Sequence, residues 1–422
     1  MEEMLQGALS HLEEAAKYTQ VHADVLEKLR YPKEILTARL LLRMDNGSRR
    51  SFVAWRCRYD DTRGPTKGGI RYHPDASLDE VVTLAFWMTF KCAVAGLPYG
   101  GGKGAIKVDP QQLSRAELER LSRAYVHAFA RMIGPERDIP APDVYTNAMI
   151  MGWMADEYSS LVGHPSPAVI TGKPLALGGS RGREDATARG GFYVLKHLER
   201  KLELSTDGAR AAVIQGFGNA GYYIAGLLHD EGWRILGISD SHGGIYCPTG
   251  LDPKAVKACK DKSGKVANYV EQNSAATLID NRELLCLKCD LLIPAALENQ
   301  INADIAERID TGVILELANG PVTAQADAVL HRRGIPVLPD ILANAGGVTV
   351  SYFEWVQNRQ GFYWTLEEVR QRLKQIMEEE SMQVWSKSRE KGISLRAAAY
   401  VHGLDRLTAA IEAHGTETYF NG

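Results

Sequence analysis

Apolar and polar positions follow two rhythms along this chain, and the change from one to the other divides it. Residues near 10 to 30 repeat their apolar positions at helical spacing, and Arg49 to Tyr59 reads as a strand entered from an Asp45-Asn46-Gly47 turn. Ser77 with Glu80, and Ser114 with Glu117, have the serine-to-glutamate spacing of a reciprocal helix cap. Each opens a helix-length segment, the first ending near Lys91. Pro140 and Pro142 exclude helix from Asp138 to Asn147 and predict a stiff extended loop that presents Asp143. This first third mixes helices and strands without regular alternation.

From about Arg183 the rhythm changes. Short apolar runs at Ala211 to Gln215, Ile235 to Ser239, Leu291 to Pro294, Val313 to Leu317 and Pro336 to Leu338 alternate with helical segments. That alternation predicts a doubly wound parallel sheet and an α/β protein of more than one domain. After Asn344 the pattern is helical to the end, so the tail is free to return to the first domain. No internal repeat or low-complexity segment interrupts this plan.

Composition narrows the function classes. Of 422 residues, 45% are hydrophobic and 24% charged, which fits a folded chain with sizeable cores. Lys+Arg 49 against Asp+Glu 52 leaves a net charge of -3, which gives no footprint for nucleic acid or an acidic membrane surface. Small molecules are the expected partners. The acidic, amphipathic start lacks the pattern of a signal peptide and no apolar run is long enough to span a bilayer, so a cytoplasmic location is expected. Six cysteines make no disulfide framework. Cys286 and Cys289 lack a second pair or a nearby histidine, so they read as structural and no metal site is expected.

Two kinds of candidate chemistry stand out. Gly216-Phe217-Gly218-Asn219-Ala220-Gly221 follows a predicted strand and opens a predicted helix, the context in which this glycine spacing holds a dinucleotide pyrophosphate. Asp240, at the end of the next strand, stands where an acid would accept hydrogen bonds from the ribose. It favours NAD, while the adjacent Ser241 and His242 would suit the extra phosphate of NADP, alone or in a dual specificity. The second kind is lysine set among glycines. Lys103 lies in Leu97-Pro98-Tyr99-Gly100-Gly101-Gly102-Lys103-Gly104 and Lys67 in Gly64-Pro65-Thr66-Lys67-Gly68-Gly69-Ile70-Arg71, both read as glycine-rich loops, with Lys91 between them. A lysine partly withdrawn from water has its pKa lowered into the range of acid/base work.

These strings, with Pro140-Ala141-Pro142-Asp143, Gly178-Gly179-Ser180, Ala318-Asn319-Gly320-Pro321 and Asn344 to Ser351, carry a resemblance along almost the whole chain. The sequence resembles the hexameric glutamate dehydrogenases, within the group that also holds leucine, phenylalanine and valine dehydrogenases. The resemblance implies two α/β domains. Residues 1–182, with 396–422 returning to them, would form a substrate and oligomerisation domain, and 183–395 a Rossmann-like dinucleotide domain, with a cleft that closes on the reactants. By matching motifs it implies that Lys67 and Ser351 bind the side-chain carboxylate of L-glutamate and Lys91 the α-carboxylate. Lys103 would be the catalytic lysine and Asp143 would exchange protons with the amino group, giving 2-oxoglutarate and ammonium. Gly216, Gly218, Gly221 and Asp240 would hold the dinucleotide, with Thr187, Asn219, Asn319 and Asn344 toward its nicotinamide half. A homohexamer is implied, with a paralogous subunit as the other possible partner. The rival readings are a dehydrogenase of aliphatic or aromatic amino acids and a regulatory dinucleotide-binding subunit. The chain departs from the family pattern in the charged run Arg181 to Asp185 and lacks the antenna insertion of animal members.

Overall fold

The structure is a computed structural model that describes residues 3–204 and 210–421. They form two compact units, one of Met1–Arg183, Val348–Arg370 and Tyr400–Gly422, the other of Glu184–Gly347 and Gln371–Ala399. The units depart from the expected boundaries at three places. Arg183 closes the first unit instead of opening the second. Residues 348–370 belong with the first unit rather than the second, and 396–399 stay in the second. The boundaries at 347/348, 370/371 and 399/400 fall inside the helices Gly346–Gln360, Leu366–Lys391 and Leu395–Glu412, each of which runs on across its boundary without a break.

The first unit is built on a five-stranded sheet in the order β1-β2-β4-β3-β5. Strand β1 (Glu34–Arg43) and β2 (Arg49–Asp60) form an antiparallel hairpin, and β2 pairs antiparallel with β4 (Gly100–Lys107). Strand β3 (Thr66–His73) runs parallel to both β4 and β5 (Asp138–Pro142). Leu40, Phe52, Ile70 and Ile106 of the sheet bury against Leu121, Tyr125 and Phe129 of the helix Arg115–Phe129.

Three expectations fail here. Both glycine-rich strings are strands rather than loops, because glycine lets backbones meet that any side chain would hold apart. A Cβ on Gly68 would stand 1.5 Å from the Gly102 carbonyl oxygen, and one on Gly101 would stand 2.3 Å from the Ala85 carbonyl in the helix Leu78–Val94. Asp138–Pro142 is likewise a strand, at the sheet edge, where the missing N–H of proline is tolerated. Strand β1 was not anticipated at all; its Leu40 and Leu42 face the core while Leu41 is exposed, an alternation hidden by the run of leucines.

The second unit holds a seven-stranded sheet in the order β12-β11-β10-β6-β7-β8-β9. Strands β6 (Ala211–Gln215) and β7 (Arg234–Asp240) pair in parallel, as do β10 (Cys289–Pro294), β11 (Thr311–Leu315) and β12 (Val337–Leu338). All five predicted strands are present. Strands β8 (Gly243–Tyr246) and β9 (Thr277–Ile279), missed by the apolar pattern, extend the edge antiparallel. Strand β6 is buried throughout and lies between β7 and β10, so strand order reverses at its C-terminal end, the position where open α/β sheets bind ligands.

Candidate active site

The first unit brings Lys103 and Asp143 together. Lys103 lies opposite Cys57 of β2, held by neighbours on both sides of its strand, and is almost wholly buried. Asp143 follows directly on β5, where its N–H donates to the Thr146 hydroxyl at 2.7 Å and that hydroxyl donates on to the Ile70 carbonyl of β3. Lys103 Nζ stands 2.8 Å from Asp143 Oδ2. Arg71 of β3, which the sequence reading did not single out, donates from Nε to the same oxygen at 2.9 Å and pairs through its other arm with Glu80. Burial lowers the proton affinity of Lys103; Asp143 opposes that and Arg71 adds to it. Burial would raise Asp143, but Lys103 and Arg71 outweigh it and hold the carboxyl well below the usual carboxylate range.

Lys67 is 1% exposed, and its amine reaches the Pro140 carbonyl at 3.5 Å. Burial, reinforced by Arg56, brings its pKa down to about 7. The nearby Asp138 gives it no relief, since both carboxylate oxygens accept from Arg56, at 2.6 and 2.5 Å. Lys91 sits in the last turn of the helix Leu78–Val94, beside Cys92. Burial pushes the Cys92 thiol up to about 12, while Lys67, Arg63 and Lys91 all pull it back, which places these three cations around one buried thiol. Ser351 is buried on the helix Gly346–Gln360, in the part that belongs to the first unit. The sequence reading missed Arg183, whose Nε is buried with no hydrogen-bond partner, and Tyr99, whose hydroxyl is in the same state. Arg183 acts on Lys67, and Glu354 acts on Lys67, Arg183 and Tyr99. Both missed residues lie within strings already noted, Tyr99 in Leu97 to Gly104 and Arg183 in the charged run Arg181 to Asp185, and only an unpaired polar atom in the folded chain marks them out.

In the second unit the glycine motif turns at the end of β6. Gly216 has φ +92°, and a Cβ there would stand 2.7 Å from that of Ala296; a Cβ on Gly221 would stand 1.8 Å from the Gly216 carbonyl oxygen. The helix Asn219–Asp230 starts from Gly218 with no side-chain cap, leaving its first amides for a phosphate. Asn344 donates to Leu317 O, Ala318 O and Asn319 Oδ1, while its own Oδ1 is buried with no partner. Thr187 opens the helix Ala186–Leu198, which packs through Gly190 onto Gly346 and through Gly191 onto Leu317. A cradle that any Cβ would fill, together with an orphaned acceptor at Asn344, fits a dinucleotide. Asp240 is less open than its position suggests. Its oxygens accept from the N–H groups of His242 and Val266, both at 2.9 Å, and Lys260 Nζ lies 3.4 Å away while donating to the Phe217 carbonyl of the glycine loop.

Two family models match this chain: Glutamate/Leucine/Phenylalanine/Valine dehydrogenase over residues 178–415, and the Glu/Leu/Phe/Val dehydrogenase dimerisation domain over 32–160. The chain belongs to this family of NAD(P)-dependent amino-acid dehydrogenases, oxidoreductases with two α/β domains. Within the family it stands with the glutamate dehydrogenases. It is 51% identical to the NADP-specific glutamate dehydrogenase of Synechocystis, over 98% of this chain and 97% of the relative. To the catabolic NAD-specific glutamate dehydrogenase of Bacillus subtilis it is 46% identical, over 96% and 94%. Among solved structures it superposes on the hetero-hexameric glutamate dehydrogenase of Thermus thermophilus in its Leu-bound form with a TM-score of 0.91 and 37% identity, covering 98% of this chain and 97% of that one. No helix of the described residues is long and apolar enough to cross a membrane.

Proposed function

We propose that this chain carries out the reversible oxidative deamination of L-glutamate to 2-oxoglutarate and ammonium, with Lys103 and Asp143 moving the protons. The observation that carries the reading is a buried lysine of lowered proton affinity 2.8 Å from an aspartate. When bound, the nicotinamide dinucleotide supplies the acceptor for the α-hydride. Asp143 exchanges protons with the substrate amino group. Lys103, neutral for part of the cycle, takes a proton from water as it attacks the imine carbon, and as an ammonium steadies the oxygen of the carbinolamine. Lys91 pairs with the α-carboxylate, and Lys67 with Ser351 receives the side-chain carboxylate. Lys67 argues against leucine or valine, because an aliphatic side chain would leave a buried amine unpaired.

At the adenosine end, both Asp240 oxygens accept from backbone N–H groups of the protein, and the cationic Lys260 lies beside them. With Ser241 and His242 adjacent, this supports acceptance of the NADP phosphate in preference to NAD. The hetero-hexameric relative supports assembly as a hexamer, here of identical chains unless a paralogue joins it. The deciding experiment measures reduced-cofactor formation by the purified chain with L-glutamate, using NAD and NADP in parallel and L-leucine as control. Turnover with glutamate and not leucine upholds the reading; dinucleotide binding without turnover replaces it with a regulatory subunit.

A further inference from the structure

Ser77 and Glu80 have the same spacing as Ser114 and Glu117, but the structure completes only the second cap. At Ser114 both arms form, whereas at Ser77 the hydroxyl accepts from the Glu80 N–H at 3.2 Å and the Glu80 carboxylate turns away to Arg71. A helix start worth stabilising has been left half made. Its glutamate instead begins a continuous chain of charges. Glu80 holds one arm of Arg71, Arg71 Nε reaches Asp143 Oδ2 at 2.9 Å, and the same oxygen meets Lys103 Nζ at 2.8 Å. Only a guanidinium has the rigid fork needed to address two carboxylates with different nitrogens.

We propose that Arg71 and Glu80 are positioning residues that govern which of Lys103 and Asp143 carries the transferable proton, Glu80 drawing Arg71 partly away from Asp143. The inference rests on the reading of Lys103 and Asp143 as the proton-moving pair. An aspartate fully engaged by two cations holds no proton and accepts none readily. Sharing Arg71 with Glu80 relieves part of that grip without removing it. Arg71, Asp143 and Glu80 are each about one-fifth exposed, so the chain of charges borders solvent where a substrate could enter.

The groups acting on this pair are few. Lys103 is faced by Asp143 from beyond β5, Arg71 from β3 and Glu80 from the helix Leu78–Val94. From β2 its register partner is Cys57, a thiol that burial pushes up to about 12 and so keeps neutral. The adjacent Arg56 and Asp138 are closed on each other. Arg71 opposes a proton on Lys103 and Glu80 favours one, so the two neighbours act with opposite sign.

The test is the pH dependence of kcat/KM for glutamate in the full-length enzyme, comparing Arg71→Gln and Glu80→Gln with the unaltered chain. The acidic limb, where Lys103 must lose its proton, is expected to move up in Arg71→Gln and down in Glu80→Gln, by on the order of one pH unit each. Arg71→Lys should restore the position of the limb more fully than the rate. Limbs that stay in place, or move in the same direction, overturn the proposal even if both variants are slow. A thermal melt of each variant, followed by circular dichroism, shows whether the unit that holds Arg71 and Glu80 is folded. Should Arg71→Gln fail that check, the downward shift in Glu80→Gln decides the matter alone. A Lys103→Ala variant separates the two layers: loss of turnover upholds the underlying reading, while a persistent wild-type limb overturns that reading and this inference with it.

Discussion

Lys67 carries a cost of burial. Its amine is buried and its pKa is about 7, against 10.5 in the unfolded chain. Between those values the unfolded state binds the proton that the folded state lacks, so this residue's contribution to stability rises as pH rises from about 7 toward 10.5 and is unfavourable at neutral pH. Lys67→Leu should therefore be more stable in calorimetry, by on the order of a few kcal/mol, while losing glutamate turnover and gaining some on long apolar amino acids. Unchanged glutamate preference would remove Lys67 from the substrate site. Lys260 is the residue to alter at the adenosine end. Lys260→Gln should weaken NADP binding about tenfold or more, leave NAD less affected, and show it directly in titration calorimetry. Motif position located Lys67, Lys103, Asp143 and Asp240. Their partners Arg71, Glu80, Arg183 and Lys260 were invisible in the sequence, since pairing across strands and helices leaves no local spacing.

At the scale of elements, the glycine strings show where local propensity misleads. Glycine is depleted in strands, so two glycine runs around lysines read as loops. In the fold they are β3 and β4, with Gly68 lying against the Gly102 backbone and Gly101 against the helix Leu78–Val94. Gly101→Ala places a methyl 2.2 Å from Thr89 Oγ1 and 2.3 Å from the Ala85 carbonyl. It should cost about 1–3 kcal/mol of stability and shift Lys103 enough to depress kcat, seen in melting and steady-state assays. Gly226→Ala is the control: it lies in the helix Asn219–Asp230 with open space around it, and should stabilise by about 0.5–1 kcal/mol. The parallel strands of the second unit were legible because they are short, apolar and separated by helices. β8 and β9 were not, since four and three residues are too few to display a period.

For the whole molecule, the segment Gln371–Ala399 shows how a late stretch of the chain completes the second unit. Arg396 is buried among three carboxylates that come from distant parts of the sequence: Glu316 at 2.6 Å, Asp327 at 2.9 Å and Asp340 at 3.4 Å. Asp340 in turn accepts from the Gly320 N–H, beside Asn319. Arg396→Met strands three acids without their cation, which should cost about 3–5 kcal/mol in thermal unfolding and weaken dinucleotide binding through the Asn319 loop. A melting point equal to that of the unaltered chain would show that the acids find other partners.

The sequence by itself determined the class of fold and the strand-turn-helix of the candidate dinucleotide site, because these follow from periodicity and short fixed spacings, while the residues proposed for the chemistry came from motifs matched to the family the chain resembles. Tertiary structure alone decided that the glycine strings are strands, that Glu80 gives up its cap for Arg71, and that Asp240 is engaged by its own neighbours. It also decided that residues 348–370, with Ser351, join the first unit. Each of these turns on what a side chain or backbone meets across the fold, and a helix that continues through 370 or 399 carries no mark of which core each part will face.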